Sequence, residues 1–99
     1  MRYAIDIGSG AQRDIESIYD YIAYTLENQT AALNTTDAIA EAIEGLGEMP
    51  HRFKVWPTEP WHSRRIRSLS VGNYNVMYEV DETSMKVTIL RVFYCRQNI

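Results

Sequence analysis

The chain has one cysteine, Cys95, in 99 residues, which excludes an internal disulfide. Its histidines are only His51 and His62, too few beside that cysteine for a Cys/His zinc site, so neither metal nor other cofactor is expected. No segment approaches the roughly 18 apolar residues that a membrane span requires, and residues 1–7 lack the apolar core of a signal peptide. A cytoplasmic protein without a membrane partner is the expectation. There is no low-complexity run that would argue for disorder. With 45% apolar and 23% charged residues, the chain suits a single domain spanning 1–99 around one modest core.

Positive charge is scarce in the first half. Up to Met49 there are two Lys/Arg against nine Asp/Glu, and after it eight against four. The net charge of -3 thus joins an acidic half of -7 to a basic half of +4. Such a separation points to a surface on the C-terminal side for phosphate or an acidic partner.

Tyr3, Ile5 and Ile7 alternate with polar or small residues, the pattern of a short half-buried strand, and Gly8-Ser9-Gly10 ends it with a turn. From Ala11 the apolar positions Ile15, Ile18, Tyr19, Ile22, Ala23 and Leu26 form one helical face. Asn28-Gln29-Thr30 breaks it, and Ala32, Ile39, Ile43 and Leu46 form a second stripe that ends at Gly45 and Gly47. Alanines at 31, 32, 38, 40 and 42 allow that second helix to lie close to a neighbour. The two helices are expected to form an antiparallel hairpin.

Residues 51–62 hold Trp56, Pro57, Pro60 and Trp61 without a period, which predicts a loop pinned by its aromatics. Residues 64–71 read as a strand whose apolar positions change parity between Ile66 and Leu69, so a one-residue bulge is expected there. Gly72-Asn73 signals a hairpin, and Tyr74, Val76, Tyr78 and Val80 line one face of the next strand. Residues 85–94 are apolar on both parities, as in a central strand covered on both faces. Pairing Val80 with Val87 puts Tyr78 beside Ile89 and Val76 beside Arg91. Arg91 then needs a carboxylate, from Asp14, Glu16 or Asp20. The order β-α-α-β-β-β predicts an α+β two-layer domain, a helical hairpin on a mainly antiparallel four-stranded sheet.

Three stretches carry a family resemblance: Asp14-Ile15-xx-Ile18-Tyr19-Asp20-Tyr21-Ile22, Trp61-x-Ser63-Arg64-Arg65-Ile66, and Val71-Gly72-Asn73-Tyr74-xxx-Tyr78-x-Val80-Asp81 followed by Ile89-Leu90-Arg91-Val92. In this order and spacing the chain resembles the RelE/ParE superfamily of small bacterial toxins from type II toxin–antitoxin systems. The resemblance implies growth arrest, relieved by a cognate antitoxin encoded beside the toxin. RelE-like and YoeB-like members cut messenger RNA on the ribosome, whereas ParE-like members act on DNA gyrase.

Metal-free cleavage of RNA uses the neighbouring 2′-hydroxyl as nucleophile and needs a base, an acid and cations around the phosphorane. Arg65 and Arg67 match cations of the ribonucleolytic members. Asn75, however, stands where those members often carry arginine, and Phe93 falls near the place of a YoeB-like catalytic histidine. No counterpart of the later RelE-like tyrosine follows, leaving Tyr94 and Arg96 as possible substitutes. The ending Phe93-Tyr94-Cys95-Arg96-Gln97 is more similar to the ParE-type, plasmid-stabilisation branch.

Two readings follow. In the favoured one the site is a protein-binding surface for gyrase and for the antitoxin, carried by Arg64, Arg65, Arg67 and Arg96. In the other the chain is a ribosome-dependent mRNA endoribonuclease with Arg65, Arg67, Arg96 and Tyr94 as catalytic residues, and His62 as a further acid/base candidate. The bland alternatives are a solvated, aggregation-resistant strand edge for the arginine run, an ordinary loop residue for His62, core aromatics for Tyr74 and Tyr78, and a small packing residue for Cys95.

Overall fold

The computed structural model describes residues 2–96; Gln97, the last residue of the ParE-type ending, lies outside them. Strand β1 (Ala4–Ile7) leads into helix α1 (Ser9–Asp20), which continues as a π-helical turn (Tyr21–Thr25). Helix α2 (Gln29–Gly45) completes the hairpin, and a short 3-10 turn (Pro50–Arg52) opens the long loop. Strands β2 (Arg67–Val71), β3 (Tyr74–Asp81) and β4 (Lys86–Tyr94) follow. The sheet order is β1-β4-β3-β2, with β1 parallel to β4 and the other pairs antiparallel. This is the α+β two-layer architecture anticipated from periodicity.

Local chemistry explains the punctuation. Gly8 lets the chain leave β1 against β4: its N–H donates to the Ile89 carbonyl at 2.9 Å, and a Cβ there would sit 2.8 Å from that oxygen. The β2–β3 loop is Gly72-Asn73, with only Gly72 at positive φ (57°), as a type II′ hairpin requires. Asn28 caps α2, its side-chain oxygen accepting from the Ala31 N–H at 3.0 Å. Asn28→Ala is expected to cost about 1 kcal/mol, measurable as a lower urea midpoint with an unchanged slope.

The hairpin packs where its residues are small. Ala32 is fully buried against Ile22 and Ala23, whereas Ala38 and Ala40 face solvent. Leu26, read as part of the buried stripe of the first helix, is 55% exposed. The π turn accounts for this, because the bond from Leu26 N–H to the Tyr21 carbonyl spans five residues and widens the spiral, moving later side chains off the 3.6-residue face.

Between helices and sheet lies the main core of Ala11, Ile39, Ile43, Leu46, Leu69, Val76, Tyr78, Val87, Ile89 and Val92. The other sheet face has its own core, in which Ile66, Met77 and Phe93 are covered by Trp56, Trp61 and Leu90. The long loop is therefore pinned by its aromatics, as expected. It also runs antiparallel to the start of β2, with Ser68 N–H donating to Lys54 O and Trp56 N–H to Ile66 O.

This second core corrects the predicted bulge. Pairing of β2 with β3 is regular, and Ile66 and Leu69 bury on opposite faces. The bulge instead falls in the β3–β4 pair, where Tyr78 faces Ile89 but Met77 faces Arg91. Leu90 is the extra residue, which lets Ile89 and Val92, three positions apart, both face the helices. Val80–Val87 and Tyr78–Ile89 pair as expected, but Val76 lies opposite Val92 and not Arg91.

Candidate functional site

The long loop and β2 position the arginine run. Arg67 opens β2 half-buried, and its Nη1 donates to the carbonyls of Phe53 (2.6 Å) and His51 (3.1 Å). It ties the loop to the sheet. Arg65 precedes it in a tight turn with φ at 58°, its N–H bonded to the His62 carbonyl. Left-handed backbone costs a non-glycine residue roughly 1 kcal/mol, so the surrounding turn holds Arg65 in place. Arg64 turns to the other side, its Nη2 3.7 Å from Glu79 Oε2.

Arg65 and Arg67 share a hollow of about 350 Å³ with His51, Val80 and Glu82. There His51 Nε2 lies 2.8 Å from Glu82 Oε1, linking the 3-10 turn to the β3–β4 hairpin. Sequence reasoning did not single out His51 or Glu82. No sequence signal marked them, because the bond from the Tyr78 hydroxyl to the Pro50 carbonyl (2.6 Å) that sets this turn beside β3 exists only in the fold.

Arg96 and Tyr94 lie elsewhere. Tyr94 pairs with Tyr74 at the far end of β3, six positions from Val80 and so roughly 20 Å away along the strand. The two tyrosine rings meet edge to face at 5.6 Å. Burial, followed by the neighbouring Tyr94 and Tyr21, raises the Tyr74 pKa. Arg96 follows, exposed, after Cys95, whose N–H donates to Asn73 O. Cys95 itself is exposed and not the packing residue expected, because it lies just past the end of β4, beyond both cores. Arg65 and Arg67 thus meet in one hollow, Arg64 turns away to Glu79, and Arg96 lies at the opposite end of the sheet.

His62 lies outside the hollow. Its Nδ1 is 3.1 Å from the Trp56 carbonyl, and its own N–H donates to Thr58 O. The same turn is closed by Glu59, which accepts from the backbone and hydroxyl of Ser63 and is held below the usual carboxylate range by those bonds.

Asn75 and Phe93 are direct cross-strand partners. Asn75 accepts from the Ser70 hydroxyl at 3.2 Å, while Phe93 is buried with the Trp56 ring edge-on at 5.8 Å. Among the described residues this face carries an apolar cluster of Ile66, Met77, Phe93, Trp56 and Trp61.

A second concavity was invisible in the sequence. Strand β1 ends at Ile7, opposite Ile89, so β4 continues past it with an open edge. Asp14 of α1 closes the first step of that edge. Its carboxylate accepts from Val92 N–H (2.8 Å) and, in a fork, from Arg91 Nε (2.7 Å) and Nη2 (3.0 Å). Asp14 was one of the three carboxylates expected for Arg91, and its bonds raise the Arg91 pKa. Beyond it runs a groove of about 790 Å³ lined by Ile18, Tyr21, Ile22, Leu26, Tyr74 and Tyr94, among others.

Among the described residues, no helix is long and apolar enough to cross a membrane. No curated protein matches the chain in sequence. Among solved structures, the chain is similar to the chromosomal ParDE toxin–antitoxin system from P. aeruginosa, with 21% identity, 94% of this chain and 96% of that one covered, and a TM-score of 0.75. It is also similar to the toxin–antitoxin complex RelBE2 from Mycobacterium tuberculosis, with 24% identity, coverage of 95% and 92%, and a TM-score of 0.70. The archaeal RelE–RelB complex from Pyrococcus horikoshii shares 17% identity over 99% and 100% of the two chains, with a TM-score of 0.63. At such identities these likenesses speak for the fold alone. Residues 5–99, however, match the family described as the ParE toxin of the type II toxin–antitoxin system parDE, so the chain belongs to the ParE toxin family and is the toxin component of such a system.

Proposed function

We propose that this toxin arrests growth by binding DNA gyrase through its basic half, without a catalytic step of its own, and that a cognate antitoxin neutralises it. The supporting observation is the pair Asn75 and Phe93. They face each other across β3 and β4, so the arginine and histidine of ribonucleolytic relatives would stand side by side here. Neither residue supplies an acid, a base or a cation, and the face around them is closed by two tryptophans. Arg96 and Tyr94, the possible substitutes, sit at the strand end remote from Arg65 and Arg67. A ribonuclease needs its cations and its acid/base within reach of one phosphate.

In this reading Arg64, Arg65 and Arg96 contact the target or the antitoxin, and Arg67 fixes the loop that presents Arg64 and Arg65. An antitoxin partner is supported by the ParDE and RelBE systems among the structural relatives. The basic side favours an acidic, partly disordered antitoxin segment that orders on binding.

Induced expression with two readouts tests the target. Gyrase supercoiling should fail while messenger RNA on ribosomes stays intact; codon-positioned cuts with normal supercoiling would reverse the assignment. Replacing Arg64, Arg65 and Arg96 together by alanine should weaken toxicity at least tenfold. Undiminished arrest would place the contact surface elsewhere.

A further inference from the structure

We propose that the groove beside the open edge of β4 is a site for a small alkylguanidinium, its planar cation held among Tyr21, Tyr74 and Tyr94. The inference is separate from the gyrase assignment, because it uses none of the arginines that carry that contact.

Three of the chain's seven tyrosines line this one groove, although they come from three elements: Tyr21 opens the π turn, Tyr74 begins β3 and Tyr94 ends β4. The Tyr74 and Tyr94 rings stand at 82° with centroids 5.6 Å apart, as two adjoining walls of a cage would. Tyr94 and Tyr21 also act on the titration of Tyr74, after the larger effect of burial, so the third phenol lies near the other two. Tyr21 is 54% and Tyr94 38% exposed, which leaves ring surface open to a ligand. Electron-rich ring faces attract cations, and cages of such rings are a recurrent means of holding organic cations. The π-helical turn that places Tyr21 is itself a kind of irregularity that collects at functional sites.

Electrostatics favour the same sign. The charged side chains that line the groove are Asp14 and Arg91, and their fork leaves no net charge within it. One wall belongs to the helical half, with its two Lys/Arg against nine Asp/Glu. Asp20 and Glu27, next in sequence to the lining residues Tyr21 and Leu26, are exposed and have no ion pair among the described residues. The field at this end of the hairpin is therefore negative on balance, even with Arg13 and Arg96 nearby in sequence.

The remaining lining suits a cation on an aliphatic stem. Ile18, Ile22 and Leu26 offer apolar surface, while the hydroxyls of Ser17 and Thr35 and the carboxamide oxygen of Asn73 can accept guanidinium N–H donors. A guanidinium is planar and weakly hydrated, so a partly apolar groove costs it less desolvation than an ammonium would pay. The volume of about 790 Å³ lies within the range of ligand pockets, roughly 300–1,000 Å³. A peptide adding to β4 as a strand fits less well, because Asp14 already accepts from the Val92 N–H at that edge.

Chemical-shift titration of the isotope-labelled full chain with n-butylguanidinium, its neutral isostere n-butylurea and a capped pentapeptide with a central arginine tests the assignment. Butylguanidinium should bind at millimolar concentration and shift the resonances of Tyr21, Tyr74 and Tyr94, and butylurea should bind at least tenfold more weakly. Tyr21→Leu, at a position exposed enough to leave the fold intact, should weaken binding about fivefold through the loss of one ring, whereas Tyr21→Phe should retain it. Tyr74→Leu should act in the same direction as Tyr21→Leu. Butylurea binding as tightly as butylguanidinium, unchanged affinity in both leucine variants, or no shifts at millimolar concentration overturns the proposal. A pentapeptide that binds tenfold or more tighter than butylguanidinium also overturns it, in favour of a protein segment as occupant.

Discussion

Truncating Tyr78 to alanine is expected to destabilise the protein by about 4 kcal/mol, the usual cost of deleting a buried aromatic side chain. Tyr78 is fully buried in the main core, and its hydroxyl donates to the Pro50 carbonyl at 2.6 Å. That bond joins β3 to the 3-10 turn that carries His51, and so ties the main core to one wall of the hollow. A domain of this size has roughly 5–15 kcal/mol of stability in total, and the loss corresponds to a fall in Tm of order 20 °C. Tyr78→Phe separates the two contributions: only the donor is lost, at about 1–2 kcal/mol. A urea denaturation series on the three proteins checks the ranking. A phenylalanine variant as unstable as the alanine one would show that the hydrogen bond, and not the packing, dominates.

The same residue sets an alkaline limit. Burial pushes the Tyr78 pKa from 10.0 up to about 12. The unfolded chain therefore releases this proton at lower pH than the folded one, so the stabilisation is complete below pH 10 and is lost as pH rises towards about 12. Two pKa units amount to roughly 2–3 kcal/mol. Denaturation midpoints measured across this window should fall in the wild type. In Tyr78→Phe that component of the fall should be missing.

Asp14→Ala is the second large effect, expected at about 2–3 kcal/mol. The carboxylate serves three donors at once. Arg91 is more than half exposed and regains water when its partner leaves, so the ion pair itself contributes little. The larger cost is the part-buried Val92 N–H at the open edge of β4, left without an acceptor. Asp14→Asn keeps an oxygen for that N–H and should cost about 1 kcal/mol. A double-mutant cycle with Arg91→Ala isolates the pair, with a coupling near 1 kcal/mol expected. Coupling that equals the whole Asp14→Ala loss would remove the edge-sealing role.

Periodicity was enough to read the layer order, the helical hairpin and most strand pairs, because alternation and the 3.6-residue stripe act locally. Parity breaks were harder. The sequence contains two, Ile66 to Leu69 and Ile89 to Val92, and they are resolved in opposite ways. The first needs no bulge because Trp56 and Trp61 make the far face apolar too; the second needs one, at Leu90. Nothing local distinguishes them, since the choice depends on what the loop covers. The arginine run was legible as charge, but its division was not. Arg64 and Arg65 are neighbours in sequence, yet a positive φ sends one to Glu79 and the other into the hollow. His51 and Glu82 are 31 positions apart and meet only through the fold.

The tryptophan loop has a consequence for how such a toxin can diversify. Because Trp56 and Trp61 roof the reverse side of the sheet, these two half-buried rings and Ile66 make the otherwise mostly exposed stretch 51–66 part of the second core. Lengthening or shortening that stretch would strip the roof and expose Met77 and Phe93 to water. Lineages that keep this roof are left with the rim cations as the parts free to vary, so a change of target or antitoxin should proceed by exchanging charges around a fixed frame.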